Sequence, residues 1–455
     1  MSNRFIVLTL IFLLALASAP AEAIDIETID ELDLRTAARI ALQQNPSLAA
    51  AAARIAQAQE RVAQARARYW PTVDAEASGA RVDLSNENFE EAQAQARFFD
   101  PSATVEDPQD RYRVGVTANW VLFDGFERKF ANLSARYGAQ RSDAARSDAQ
   151  RLLLSTVASA YFQAQLSNED IAIARADEAF NMRQLDEAKA RRRLGTGSLS
   201  DELNFQVRVN SAKTSRIQAE AAYETNRIAL AALLGLPGAE FPPQVPLAPL
   251  AEETNKEMAP PDADPLVAYA RSHRPDLIEA DLAVKQAEAE ARSARARFYP
   301  TVNLTGTVEG EREEDSQFEG DDFGNSVSLN LRYNLFSGGS DSARYREARA
   351  RRRENEKSLE NRILTASSEV RTSAARVASA QRQVTLQREN AALVRRTRDL
   401  VEKEYSAGQA SLVRLNEAQR DLTTAMGRLA LARAALRQAW FNLETDTGRI
   451  LELLQ

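Results

Sequence analysis

The chain has 455 residues, 44% hydrophobic and 27% charged, with a net charge of −7 at neutral pH; this can bury a sizeable core and excludes a disordered or fibrous chain. The acidic balance argues against nucleic acid as a partner, since phosphate binding needs a basic face; runs such as Arg191 to Arg193 and Arg351 to Arg353 are closely followed by acids, as on a solvated helix face. With no cysteine and one histidine, His273, the chain cannot assemble a His/Cys zinc site, and a catalytic Ser-His-Asp arrangement would rest wholly on His273. That residue sits in "ARSHRPDL" and reads as a surface histidine at a helix start. No phosphate-binding GxxxxGK loop and no GxSxG elbow occurs, so no enzyme activity, cofactor or metal is expected.

Residues 1–23, "MSNRFIVLTLIFLLALASAPAEA", join a basic start, a short apolar run and a small-residue cleavage pattern, which predicts a signal peptide. No later stretch is long and apolar enough for a membrane helix, so any membrane passage has to be a closed barrel. A first repeat is expected over 24–235. Its opening helix runs from Thr36 to Arg68 and stops at Tyr69-Trp70-Pro71. The period then changes to two over about 71–82 and 111–124, the length and pattern of barrel strands, around a polar loop. A long helix follows over 129–193, then a glycine turn and a returning helix. A Pro-rich linker occupies 236–264. The second repeat, 265–455, gives a helix to Arg297, a stop at Phe298-Tyr299-Pro300, strands at about 300–312 and 325–337, a long helix over 341–406, a glycine turn and a returning helix. The aromatics Tyr69, Trp70, Phe298 and Tyr299 are expected at a membrane–water boundary.

The duplication is numerical. Pro46 to Pro275 and Pro71 to Pro300 are both 229 residues, whereas Gly125 to Gly338 and Gly195 to Gly408 are both 213, so the first half carries 229 − 213 = 16 extra residues between Pro71 and Gly125. Each long helix would span about 100 Å at 1.5 Å per residue. Its sparse apolar positions, such as Leu386, Leu393 and Leu400, suit a coiled-coil seam. Gly195 and Gly408 are placed to end those helices in a left-handed residue, with Ser198 and Asp201 available to cap the first returning helix. Four strands cannot close a membrane barrel alone, so several protomers have to share one.

Together "ARARYWPTV" and "ARARFYPTV", "LFDG" and "LFSGG", "ALLGLPG", "RRLGTGSLSD" and "YSAGQASL", in duplicated order over essentially the whole chain, resemble the TolC family of outer-membrane efflux proteins. The resemblance implies an α+β, mainly α fold: a homotrimer with a 12-stranded outer-membrane β-barrel, four strands per protomer, continued by a periplasmic α-helical coiled-coil barrel. It implies a periplasmic adaptor docked at Gly195, Thr196, Gly197, Gly408 and Gln409, and an inner-membrane pump beyond. Asp201 and Tyr405 match positions that tie neighbouring helices in a closed state. Where close relatives of the family's type protein carry acidic residues at the constriction, this chain has Arg414 and Glu417, a mixed ring expected to give weaker cation preference; a salt bridge from Arg414 to a neighbouring helix is the other reading. The function implied is a passive efflux duct. Type I protein secretion and a structural envelope coiled coil are the alternatives.

Overall fold

The computed structural model describes Ile26 and residues 29–105, 107–313 and 315–453; the expected signal peptide, 1–23, lies outside the described residues. In chain order the elements are α1 (Leu34–Gln44), α2 (Pro46–Ala67), β1 (Thr72–Val82), α3 (Asn86–Phe99), β2 (Gln109–Phe123), α4 (Glu127–Arg193), α5 (Leu199–Leu234), α6 (Ala263–His273), α7 (Pro275–Arg295), β3 (Thr301–Glu313), β4 (Phe323–Arg332), α8 (Ser340–Ser406), α9 (Leu412–Thr447) and α10 (Ile450–Leu453). Both boundaries of α4 and α8 differ by 213 residues (340 − 127 and 406 − 193), as do those of α5 and α9 (412 − 199 and 447 − 234). Both α4 and α8 are 67 residues long.

Four expectations need correction. The helix read from Thr36 to Arg68 breaks at Asn45, whose backbone is extended (ψ 121°) because Pro46 follows. The Asn45 side chain accepts from the Ser47 amide at 2.9 Å, starting α2 with proline as its first residue. His273 closes α6 rather than opening a helix, stacked on Tyr269 with ring centroids 4.0 Å apart. The loop between the first two strands contains α3, capped by Ser85 and fastened by Gln93, which donates to Ala103 O (2.7 Å) and accepts from the Val105 amide (2.8 Å). Finally, β4 stops at Arg332, where its partner Thr301 follows Pro300, which has no N–H to extend the ladder.

The chain divides into two compact units, each drawing on both repeats: one of Ala52–Ala145 and Pro275–Leu364, the other of the remaining segments. In the first, β1-β2-β3-β4 form an antiparallel sheet in that order, so the two hairpins meet along β2 and β3, and β1 and β4 are its edges. Directly paired residues share a face. Thr72, Asn119, Thr305 and Ser328 make one row, in which the Thr305 hydroxyl donates to Asn119 Oδ1 at 2.8 Å. On the opposite face, Val116 pairs with Val308, and Ala118 with Gly306, which pairs in turn with Val327. That apolar face is uncovered: Val327, Leu329 and Leu331 are 79%, 66% and 71% exposed.

In the second unit the core is built from helix stripes. Val370, Val377 and Val384, seven residues apart on α8, pack with Leu436 and Leu443 of α9 in one cluster, a coiled-coil seam. A second cluster joins Ile40 of α1, Val157 and Tyr161 of α4, and Leu230 and Leu234 of α5. Val245 and Leu247 of the segment between the repeats are buried in it, and Leu247 pairs in parallel with Leu32. The two repeats also close alike: the Asn45 side chain donates to Leu233 O (2.8 Å), and Arg274, its counterpart, to Asp446 O (3.0 Å). By contrast, Leu386, Leu393 and Leu400 of α8 stand 64%, 67% and 54% exposed, a heptad stripe left uncovered by the described residues.

Candidate functional site

At the helix end of the sheet, Trp70 is 72% exposed and Tyr69, Phe298 and Tyr299 about two-fifths exposed. Their setting is fixed by backbone geometry. The Trp120 indole donates to Tyr69 O (3.0 Å), and the Arg128 guanidinium lies 5.2 Å from the Tyr69 ring centre. Arg128 is nearly buried, and each of its three guanidinium nitrogens is engaged: it pairs with Asp124 at 2.7 Å and donates to the carbonyls of Arg68, Val121 and Leu122. It thereby locks the turn from β2 into α4. Gly125 lies in that turn with φ +64°, and a Cβ there would meet Ala296 O at 2.4 Å, so both its conformation and its contact require glycine. Trp120, Tyr333 and Phe336 belong to the same exposed aromatic set and were not singled out by the proline-adjacent pattern.

The glycine turns are built alike. Gly195 and Gly408 have φ of +75° and +74° and close α4 and α8 by donating to Arg192 O and Tyr405 O, each at 3.0 Å. The Thr196 and Gly197 amides both reach Arg191 O, at 3.0 and 3.1 Å, while Gln409 and Ala410 reach Glu404 O, at 2.8 and 3.3 Å. Ser198 and Ser411, again 213 apart, cap α5 and α9. Asp201 lies in the first turn of α5, beyond the cap.

One buried cluster connects both hairpins at these turns. Phe205, fully buried, sits with Leu185 and Ala188 of α4, Val209 of α5, Val401 of α8 and Leu415 of α9, and Tyr405 packs on it. The Tyr405 ring centre lies 6.5 Å from Phe205 and 5.3 Å from the Arg191 guanidinium, a cation–π contact between α8 and α4. Burial, with the Asp201 carboxylate behind it, holds the Tyr405 hydroxyl protonated above its ordinary range. Polar links reinforce the junction: Asp177 of α4 accepts from Gln419 (2.8 Å) and Thr423 (3.3 Å) of α9, and Asn416 donates to Asn204 (3.1 Å).

Charge is inverted between the two turns. Glu404 and Arg414 form a 3.2 Å bridge across the second, and their counterparts 213 residues earlier are Arg191 and Asp201. Arg414 thus pairs within its own hairpin, whereas Glu417 is exposed. The first turn is instead bridged by Arg192 and Glu202 at 3.0 Å. Around it Leu194, Leu199, Leu203 and Val207 are 79%, 53%, 56% and 63% exposed, an apolar border beside the turns. Phe205 and Asp177 were missed because neither lies at a turn; the only signal is for Phe205, whose counterpart at the 213-residue offset is Ala418, a member of the same cluster.

Among the described residues, no helix is long and apolar enough to cross a membrane, and no group of His, Asp or Glu side chains could hold a metal ion. A family model described as outer membrane efflux protein matches residues 37–236 and 266–449. Protein CyaE of Bordetella pertussis is 31% identical over 433 residues, covering 93% of this chain and 85% of its own. The pyoverdine export outer membrane protein OpmQ of Pseudomonas aeruginosa is 26% identical over 415 residues, 90% of this chain and 83% of its own. Among solved structures, the Campylobacter jejuni CmeC outer membrane channel superposes with a TM-score of 0.77 at 16% identity, covering 96% of this chain and 90% of that one.

Proposed function

Because the chain belongs to the outer membrane efflux protein family, an efflux channel of the outer membrane with a periplasmic extension, we propose that three copies close one duct and that its turns receive a periplasmic adaptor fed by an inner-membrane pump. The observation that carries this reading is the two-faced sheet. Its apolar face is exposed on β4, its other face is polar, and among the described residues both edge strands lack a partner. Pairing β1 of one copy with β4 of the next satisfies the edges, turns the apolar face to lipid and leaves a polar lumen. The uncovered heptad of Leu386, Leu393 and Leu400 is a second surface suited to a helix of a neighbouring copy.

The duct does no bond chemistry of its own. Energy enters at the inner membrane, and opening consists of separating the hairpins where Tyr405, Phe205 and Arg191 meet. Gly195, Thr196, Gly197, Gly408 and Gln409 form the face offered to the adaptor, and Leu194, Leu199 and Val413 supply apolar area around it. Cargo is small molecules, by analogy with the pyoverdine exporter. The test is a photocrosslinking residue in place of Gln409 in living cells. Capture of an adaptor from a small-molecule pump is expected; capture of one from a protein-secretion ATPase would move the cargo to protein, and capture of no envelope protein would refute the tip assignment. The mass of the detergent-solubilised particle tests the trimer.

A further inference from the structure

In the second unit, α4, α9 and the segment between the repeats line a cavity of about 560 Å³, a volume within the range of small-molecule sites. Its apolar surface comes from Phe162 of α4 and from Trp440 and Phe441 of α9, the two phenylalanine rings standing edge to face with centres 5.3 Å apart. The walls are held from behind. Trp440 donates its indole N–H to Glu257 O (2.8 Å), the Tyr161 hydroxyl donates to Leu32 O (3.0 Å) and Arg437 donates to Ala251 O (2.9 Å). Those bonds fix the rings and the intervening segment around the space.

Among the described residues, two acceptors at this cavity have no donor. Gln165 lines it and is only 5% exposed. Its amide nitrogen donates to Ala248 O at 2.6 Å, which sets the orientation of the amide, and its buried Oε1 accepts no hydrogen bond. Glu444, one turn beyond Trp440 on α9, lines the cavity as well; its Oε2 is buried and also accepts none, the Arg449 guanidinium lying 3.6 Å away. A buried acceptor without a donor carries its full desolvation cost, which a donor brought in by a ligand recovers. The rim does not call for a charged ligand. Asp33 accepts from the Thr36 amide at 2.7 Å, Arg437 lies 3.4 Å from Glu257, and Glu252 lies 3.5 Å from Arg433. Glu444 already has the positive charges of Arg449 and Lys256 facing it.

We propose that this cavity binds a neutral aromatic molecule carrying an N–H or O–H donor, with its ring against Phe162, Trp440 and Phe441 and its donor on Gln165. Glu444 offers a second acceptor to a ligand with two donors. The site is built from one chain and shares no residue with the glycine turns, so it stands whether or not the adaptor face does. Because the segment between the repeats forms one wall, an occupied cavity ties that segment to α4 and α9 and slows its local opening.

The test is hydrogen exchange followed by mass spectrometry on the purified full chain with 2-naphthol, a neutral ring system with one hydroxyl donor, and with 2-methoxynaphthalene, which keeps the rings and lacks the donor. 2-Naphthol is expected to slow exchange saturably in peptides covering residues 161–165, 251–257 and 437–444, with the strand peptides unchanged. The methoxy compound should need a concentration about five-fold higher, the worth of one hydrogen bond. Ala251 is exposed and lines the cavity, so Ala251→Phe fills the space and should abolish the protection; A251L serves where that variant does not assemble. No protection at these peptides, equal potency of the two compounds, protection that survives in the folded filled variant, or slowing spread equally over the strand peptides overturns the inference.

Discussion

Replacing Phe205 by alanine should loosen the two hairpins where they meet and little else. The ring is fully buried among residues of α4, α5, α8 and α9. Truncating such a phenylalanine removes its transfer free energy and leaves a cavity, together about 3–5 kcal/mol. Tyr405 also loses the aromatic edge it packs against. Because every partner lies at the turn end of a hairpin, the loss falls on local opening rather than on the sheet. Even the low end of the range raises the open population by about two orders of magnitude. Hydrogen exchange followed by mass spectrometry reads this directly: amides in residues 199–209 and 412–418 should exchange faster by about that factor, with F205L intermediate and the strand peptides unchanged. Unchanged exchange at the turns, or equal acceleration in the sheet, would refute the cluster as the joint between hairpins.

Gly408→Ala places a Cβ in open space but forces alanine to φ +74°, a cost of about 1–2 kcal/mol, whereas Gly408→Asn, which tolerates that region, should recover most of it; exchange at the Gln409 and Ala410 amides is the readout. Leu329→Arg should impair membrane assembly by about 2–4 kcal/mol, as a charge on the lipid face does, while Ser328→Arg on the neighbouring, polar position assembles; heat-modifiable gel mobility distinguishes them. Glu444 is pushed above the usual carboxylate range by burial, against which the 3.6 Å contact with Arg449 is insufficient. Its folded form therefore binds a proton more readily than its unfolded form, so its burial penalty is full at neutral pH and fades as pH falls through that raised pKa toward the ordinary range. Glu444→Gln should stabilise at neutral pH and change little in acid; thermal unfolding at the two pH values gives the sign, and a larger gain in acid would contradict it.

Much of this architecture is written in the duplication. The offset of 213 residues places Gly195 with Gly408 and Ser198 with Ser411, and the helix boundaries obey it because the same caps and the same left-handed glycines recur. The two-residue period over the strands was equally plain, since each strand has one face for each environment. Asn45 was misread because the alanine-rich run continues through Pro46; the helix propensity of that run conceals a proline that also suits a first turn. The helix α3 was hidden by its polarity, having no buried face to give it a period. At the turns, Arg414 carried a visible charge, but its partner Glu404 is found only when the glycine turn folds one helix back on the other. The Arg191–Tyr405 contact joins residues 214 positions apart and has no local signature at all.

The most direct measurement of the central claim is current through planar bilayers holding the purified full chain, alongside F205A. A duct closed at the Phe205 cluster gives discrete conductance steps, with a greater open fraction when Phe205 is removed. Silence from both proteins, inserted and correctly assembled, would contradict it and make the molecule a strut rather than a duct.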